Sequence, residues 1–451
     1  MNQQFINRER ELAWLEELYK KPGAQLVVIY GRRRIGKTEL LKKFAEGKKV
    51  VYFYCERSSK ADNLSRLAAA FADGLGIDYL REISFTDWEP LFKALAPYLK
   101  ERVVVIFDEF PYLLDVDPAV ASKFQRIWDE LLSKTEVFLV LCGSSVAVME
   151  GEILSYKSPL YGRRTGSWKV GEMPLHSIKN FYPRPFEEVL MLYAVVGGVP
   201  LYLKKFNPNK PFLDNLKAEF FTKGGFLYDE AEFLLRQELR EPRNYMLILR
   251  AIADGRRKLG EIANETGLDK AAVSRYLATL ELLDLVSYEL PVLEPPKARK
   301  RLYYISDNYM AFWFKFVYPH KSLVEQGLGE RAVVETWRRF GDYMSFVFER
   351  VVAKVVQAMY PSYKVGRQWG KRGGQAYDID VLAVKEGRGI YVEAKWSDNV
   401  NCGGEKERLK EKTLPEAEPE AFYIFAKSFN KKEEGCFDLA DLERLVELYK
   451  L

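Results

Sequence analysis

Eight consecutive residues, Gly31-Arg32-Arg33-Arg34-Ile35-Gly36-Lys37-Thr38, match the pattern G-x-x-x-x-G-K-[ST]. At this spacing two glycines let backbone N–H groups turn inward around phosphate oxygens. The loop follows an apolar, β-branched run, Gln25 to Tyr30, and opens a helix-patterned segment, Thr38 to Glu46, ended by Gly47. A bound phosphate would therefore rest on a helix N-terminus, where the dipole favours negative charge. In such a loop Lys37 reaches the β- and γ-phosphates and Thr38 ligates Mg²⁺. Arg32, Arg33, Arg34, Ile35 and the following Glu39 complete the expected contact set. Further on, Val103 to Phe107 ends in Asp108-Glu109. Asp108 is placed to hold Mg²⁺ through water and Glu109 to orient an attacking water. Together the two motifs predict ATP and Mg²⁺ as cofactors, and hydrolysis as the reaction.

Two further groups could join this chemistry. Val137 to Cys142 runs into Gly143-Ser144-Ser145, so Ser144 either senses the γ-phosphate or is an ordinary strand-end turn residue. In Tyr161-Gly162-Arg163-Arg164, one arginine, Arg163 or Arg164, either stabilises transition-state charge as an arginine finger or is a solvated surface group. The finger would act in its own subunit or in a neighbour, so a homo-oligomer is compatible with the pattern.

A second cluster lies near the C-terminus. On a strand Tyr377 to Val384, Asp378 and Asp380 share a face, as do Glu393 and Lys395 on a strand from Ile390, because side chains two apart point the same way. Glu349, on the preceding helical segment, can join them. Carboxylates without His or Cys are hard oxygen ligands suited to Mg²⁺, or alternatively Mn²⁺. A metal so held activates water and neutralises phosphate, while Lys395 orients the nucleophile or stabilises charge. The expected metal ligands are Glu349, Asp378, Asp380 and Glu393, with Asp380, Glu393 and Lys395 catalytic.

Between these sites, Leu259, Ile262 and Ala263 form an apolar stripe, Gly267 makes a turn, and Asp269 caps a helix over Lys270 to Leu280. With Val273, Tyr276, Leu277 and Leu280 inward, Lys270, Ser274 and Arg275 face out, where a recognition helix meets a major groove. Val286 to Val292 and Leu302 to Ile305 can pair as a wing with Lys297, Arg299, Lys300 and Arg301 at its tip, a charge run suited to phosphates or simply a solvated loop. Lys371 and Arg372 add a basic loop near the carboxylates. Double-stranded DNA is the expected partner, although winged helices also serve as packing modules.

The elements that must hold these groups divide the chain. Its 451 residues exceed one ordinary core. The expected fold is α/β and multidomain: a P-loop parallel sheet over 1–186, a helical lid over 187–242, a winged helix-turn-helix over 243–308, an aromatic helical connector over 309–340, and an α/β domain over 341–451. The formal charge of +5 is too mild to argue for nucleic acid by itself. Four scattered cysteines and two histidines argue against a disulfide framework and structural zinc. No apolar run approaches the ~20 residues that span a bilayer, and the polar start Met1 to Arg10 lacks a signal pattern. A cytoplasmic location is expected, and the abundance of Lys, Arg and Glu would suit a thermophile.

Phe5-Ile6-Asn7-Arg8-Glu9-Arg10-Glu11-Leu12, the Gly31 to Thr38 loop, Phe107-Asp108-Glu109-Phe110, Cys142-Gly143-Ser144-Ser145, Tyr161-Gly162-Arg163-Arg164 and Gly197-Gly198-Val199-Pro200-Leu201-Tyr202-Leu203 together resemble the archaeal ATPase family, within the STAND branch of P-loop NTPases. The resemblance covers about the first half of the chain. It implies that Arg8 lies near the adenine and that Pro200 senses nucleotide from the lid. Asp380…Glu393-Ala394-Lys395 resembles the PD-(D/E)xK nuclease superfamily, here in a domain similar to one of unknown function that often ends such chains. Two functions are expected from these resemblances. One is an ATP-dependent DNA-processing enzyme with a metal-dependent nuclease-like domain. The other is a STAND-like, ATP-gated regulatory switch whose nuclease-like fold is a catalytically inactive binding module.

Overall fold

A computed structural model describes residues 5–239, 241–298 and 300–451. The chain forms two compact units, one up to Glu172 and one from Met173 to Leu451. The break thus precedes the expected boundary at 186. Residues 173–186 fold with the second unit, starting with a hydrogen bond from Met173 N–H to Gly198 O at 2.7 Å.

The first unit is built on strands β1 (Gln25–Tyr30), β2 (Val50–Tyr54), β3 (Val103–Asp108), β4 (Val137–Gly143) and β5 (Gly166–Lys169). Among the described residues they form one sheet in the order β2-β3-β4-β1-β5, with every pair parallel. The apolar runs are continuous because both faces are covered. Leu26, Val28, Val105, Phe107, Leu139 and Leu141 pack into one core. Their alternating neighbours Val27, Ile29, Val104, Ile106, Phe138 and Val140 pack into another on the opposite face. The order places β1 beside β4, with the next strand in sequence, β2, at the far side of β3, so the loop after β1 opens at a switch point of an α/β sheet, where such folds bind ligands.

The second unit opens with helices, among them Phe186–Val196, Phe212–Phe220 and Phe226–Glu238. Pro242–Ala253, Leu259–Thr266 and Lys270–Leu282, followed by the antiparallel pair β6 (Val286–Glu289) and β7 (Leu302–Ile305), make the winged helix. Asn308–Phe312, a π-helical turn Trp313–Val317 and Tyr318–Glu325 form the aromatic connector. A long helix, Phe340–Met359, then leads into β8 (Lys364–Arg372), β9 (Gln375–Lys385) and β10 (Arg388–Lys395). The remaining strands are β11 (Val400–Asn401), β12 (Glu418–Ala426), β13 (Phe429–Lys431) and β14 (Cys436–Phe437). A mixed sheet runs in the order β14-β12-β10-β9-β8, while β11 and β13 pair separately.

The expectation concerned a disulfide framework; among the described residues the structure has one pair, Cys402 and Cys436, joined with their Cα atoms 6.3 Å apart and 34 residues apart in sequence. The parallel pairing of β12 with β14 brings the helix that starts at Cys402 next to the edge strand, a proximity that spacing alone does not reveal. Cys55 and Cys142 are buried and free. Among the described residues no helix is long and apolar enough to cross a membrane.

Candidate functional site

Glycine is required at the start of the phosphate loop. Gly31 has φ 147°, and a Cβ there would lie 2.3 Å from Val170 O. Gly36, at φ 88°, turns the chain into the helix Lys37–Ala45. Lys37 is buried, and its ammonium donates to Gly31 O and Arg32 O at 2.8 Å each. Burial pulls its pKa below the ordinary lysine value. An ammonium held only by loop carbonyls in a desolvated pocket is suited to exchange them for phosphate oxygens. Thr38 Oγ1 donates to Asp108 Oδ2 at 2.8 Å, so the two expected Mg²⁺ contacts already meet, and this donor set fits Mg²⁺-nucleotide. Magnesium bound there would neutralise charge on the phosphates.

Glu109 sits at φ 58°, a left-handed backbone for a non-glycine residue, the kind of strain that clusters at functional sites. Its Oε2 accepts from Ser144 N–H at 3.1 Å and Ser144 Oγ at 2.7 Å. To the two readings of Ser144 the structure adds a third role, fixing the carboxylate beside the loop. Tyr52 belongs to no motif, yet its hydroxyl donates to Asp108 Oδ2 from the neighbouring strand β2. A tyrosine within the otherwise apolar run Val50 to Phe53 is the only sequence signal of that role. Arg8 is also a support. Its guanidinium, 3% exposed, donates to Ile35 O at 2.9 Å and Gly171 O at 2.7 Å and pairs with Glu11. Arg8 thus braces the phosphate loop from below. Arg33 reaches Tyr112 OH at 3.0 Å, Arg32 faces Glu172 at 3.4 Å, and Arg34 adopts φ 70°.

Two expectations need correction. The Glu39 carboxylate pairs with Lys42 on the exposed helix surface, so its side chain is not part of the cradle, where a negative group would repel phosphate. Arg163 is clamped by Asp129 through two bonds of 2.8 and 2.7 Å. Asp129 ends the helix Val120–Glu130 that leads back to the start of β4, and Thr165 N–H bonds Leu26 O near the start of β1. Parallel strands put this edge opposite the phosphate loop. Arg163 therefore cannot be a finger for its own subunit's site, and Arg164 is bound there too, to Leu154 O at 3.1 Å. Pro200 begins the short helix Pro200–Leu203 in the second unit and is buried.

In the winged helix, Gly267 at φ 69° makes the turn and Asp269 Oδ1 accepts from Ala272 N–H at 2.9 Å. Lys270, Ser274 and Arg275 are exposed or half-exposed on one face together with Ala271 and Ala278, small residues that permit close approach. The wing departs from the expected form. Its strand stops at Glu289, and the segment after it docks onto the C-terminal sheet: Val292 N–H bonds Arg367 O at 3.0 Å, Leu293 N–H bonds Gln368 Oε1 at 3.1 Å, and Val292 enters that sheet's core. Lys300 pairs with Glu294, and Arg301 lies over the Tyr288 ring at 4.2 Å. These two cations have partners within the chain but remain exposed, as does Lys297, and Arg299 lies outside the described residues.

The C-terminal carboxylates converge only in part. Val381 pairs with Val392 across β9 and β10, so one step further Asp380 stands beside Glu393, and Asp380 Oδ2 accepts from Ala394 N–H at 2.9 Å. Glu393 is held between Lys395 at 2.5 Å and Lys412 at 2.9 Å. Lys412 comes just after the helix Cys402–Glu411, and no sequence pattern marks it. Asp378 is turned to Arg367, which also faces Glu349 at 3.7 Å. This corrects the four-carboxylate expectation. Asp378 is neutralised by its own arginine, and among the described residues no group of three or more His, Cys, Asp or Glu is gathered as a metal cluster. Burial and then the Asp380 charge push the Glu349 carboxyl up to about 8. Burial and then the Glu393 charge push Asp380 up to about 6. Glu349, Asp380, Arg367, Arg350 and Lys354 line an open cleft of 540 Å³. At the hairpin tip Lys371 is exposed and Arg372 bonds Thr413 O at 2.6 Å.

Comparison with known proteins finds three families along the chain. Residues 5–206 match an ATPase domain predominantly from Archaea. Residues 244–289 match the IclR helix-turn-helix domain, and residues 313–411 match a family of archaeal and bacterial proteins of unknown function. An uncharacterized protein of Methanocaldococcus jannaschii is 35% identical over 452 residues, covering 97% of this chain and 99% of that one. An uncharacterized ATP-binding protein of the same organism is 52% identical over 46 residues, 10% of this chain and 78% of that one. Among solved structures, the Walker-type ATPase of Pyrococcus abyssi has a TM-score of 0.55 at 22% identity, covering 70% of this chain and 97% of that one. The chain belongs to the archaeal ATPase family, and it joins that ATPase domain to a winged helix-turn-helix and a C-terminal domain from a family without an assigned function.

Proposed function

We propose that the chain hydrolyses ATP in the Gly31 to Thr38 loop, with Mg²⁺ held by Thr38 and Asp108, and uses the cycle to act on double-stranded DNA in the cytoplasm. The observation that carries the first part is the Thr38–Asp108 hydrogen bond of 2.8 Å beside the buried Lys37. Glu109, fixed by Ser144, is the group that positions the attacking water. The small-residue face bearing Lys270, Ser274 and Arg275 supports major-groove contact. ATP turnover measured with and without Mg²⁺, and with and without duplex DNA, tests both parts; no turnover under any of these conditions refutes the reading.

Glu349 and Asp380, which line the cleft, together with Glu393 and Lys395 beside Asp380, are read as a phosphodiester hydrolysis site that takes Mg²⁺ or Mn²⁺. Two carboxyls, Glu349 and Asp380, whose pKa values are raised by burial and then by a neighbouring carboxylate, Asp380 and Glu393 respectively, mark a spot where a cation is favoured. One observation favours the second reading, a catalytically inactive module in an ATP-gated switch: both Glu393 oxygens already have lysine partners. Plasmid cleavage with each metal separates the two. Cutting abolished by Asp380→Ala and by Lys395→Ala, with ATP hydrolysis unchanged, supports the nuclease; absence of cutting supports the switch.

A further inference from the structure

A second cavity, of 290 Å³, lies wholly within the second unit. Its walls are the end of the helix Pro242–Ala253, strand β7, the connector and the start of the helix Phe340–Met359. Tyr303, Tyr304, Tyr343 and Phe346 supply aromatic surface. The walls are fixed: Tyr343 OH donates to Ala194 O at 2.7 Å, and the Tyr304 and Phe346 rings meet edge to face at 6.0 Å. Lys315 projects from the π-helical turn Trp313–Val317, a local geometry often found at functional sites.

Lys315 is half-buried and makes one hydrogen bond, to Ala253 O at 3.0 Å. Among the described residues neither Lys315 nor Arg339, at the cavity rim, has an ion pair, whereas Arg257 is committed to Glu289 at 2.9 Å. Among the described residues Asp342 is the one acid lining the cavity. Asp254 also acts on Lys315 but is shared with Arg250 at 3.8 Å, so two cations without ion pairs against Asp342 leave a single positive charge to be met. Burial, and then the Arg339 charge, hold the Lys315 pKa below its ordinary value, which an anion would reverse. The volume is at the small end of the ~300–1,000 Å³ range of ligand pockets, enough for one ring.

We infer that this cavity binds a small aromatic monocarboxylate, its ring against the wall formed by Tyr304, Phe346 and Tyr343 and its carboxylate on Lys315 and Arg339. Asp342 accepts from a hydroxyl or amino substituent on the ring. Because the walls come from both the winged helix and the connector, the ligand ties the helix-turn-helix to the segment that leads into the C-terminal domain. The site is independent of the ATP and DNA readings.

The test is calorimetry on the full chain without nucleotide or DNA, using benzoate, salicylate and indole-3-carboxylate, with benzamide as the neutral counterpart. Saturable one-to-one binding of at least one carboxylate is expected. A charge-assisted hydrogen bond contributes ~1.5–3 kcal/mol, so benzamide and Lys315→Met should each bind about tenfold or more weaker. Arg339→Gln, at an exposed position, should weaken the carboxylate and leave benzamide unchanged, and it keeps the test valid if Lys315→Met fails to fold. No saturable binding of any of the three carboxylates, or binding indifferent to charge and to both substitutions, overturns the proposal.

Discussion

Replacing Lys37 by alanine separates a role in the fold from a role in chemistry. In the free protein the ammonium makes two hydrogen bonds, to Gly31 O and Arg32 O at 2.8 Å each. Hydrogen bonds from a charged group contribute ~1.5–3 kcal/mol apiece. The same ammonium is disfavoured by burial, as the downward direction of its pKa shows, so its removal also removes a desolvation cost. The two effects oppose each other, and the unfolding free energy should change by less than about 2 kcal/mol. Catalysis has no such compensation. A preorganised donor aimed at developing charge is worth ~2.7–4 kcal/mol, or ~10²–10³ in rate. Turnover at saturating Mg²⁺-ATP should therefore fall by that factor, or binding should be lost, while the denaturation midpoint moves little. A Lys37→Ala protein with unchanged affinity and turnover would refute the assignment, and one that unfolds during purification would show that the lysine is chiefly structural.

Glu109→Gln should retain nucleotide affinity, read by a fluorescent ATP analogue, yet slow hydrolysis by ~10²–10⁴; equal turnover would remove Glu109 from the chemistry. Arg163→Ala should leave the turnover of dilute protein unchanged, because Asp129 holds that arginine at the far edge of the sheet. A loss approaching the ~10³-fold worth of an arginine finger would mean that a neighbouring subunit supplies it. Lys270→Ala combined with Arg275→Ala should weaken duplex binding and flatten its salt dependence by up to ~0.9 for each phosphate that these cations neutralise; identical binding at every salt concentration would exclude that face. Val292→Asp places a carboxylate in the core of the C-terminal sheet, where an unpaired charge costs several kcal/mol. It should release the docked segment and hasten tryptic cleavage at Lys297 or Lys300, and unchanged cleavage would show that docking does not protect the tip.

The phosphate loop is legible in the sequence because its parts are contiguous. Gly31, Gly36, Lys37 and Thr38 lie within one strand-turn-helix, and local backbone geometry fixes their relation before any long-range packing forms. The continuous apolar strands, the Gly267 turn and the Asp269 cap are legible for the same reason. Side-chain alternation also puts Asp378 and Asp380 on one face correctly, but cannot choose between them. That choice comes from Arg367 on β8, which claims Asp378 across the hairpin and leaves Asp380 beside Glu393.

By itself the sequence determined where helices, strands and the phosphate cradle form, since these depend on residue type at short spacing. Tertiary structure decided which distant groups meet. Tyr52 reaches Asp108 through the crossover that sets β2 beside β3, and Arg8 reaches Ile35 by the fold of the N-terminal helix. Lys412 closes on Glu393 because β10 and β12 run parallel with a helix between them. The place of Arg163 is not legible, because a flexible glycine and two arginines carry no record of which sheet edge they will occupy. Nor is the end of the wing, because Val292 has an equal apolar preference for its own strand and for the neighbouring core. Hydrophobic burial has no direction along the chain, so the partner it selects is settled only when the whole surface is in place.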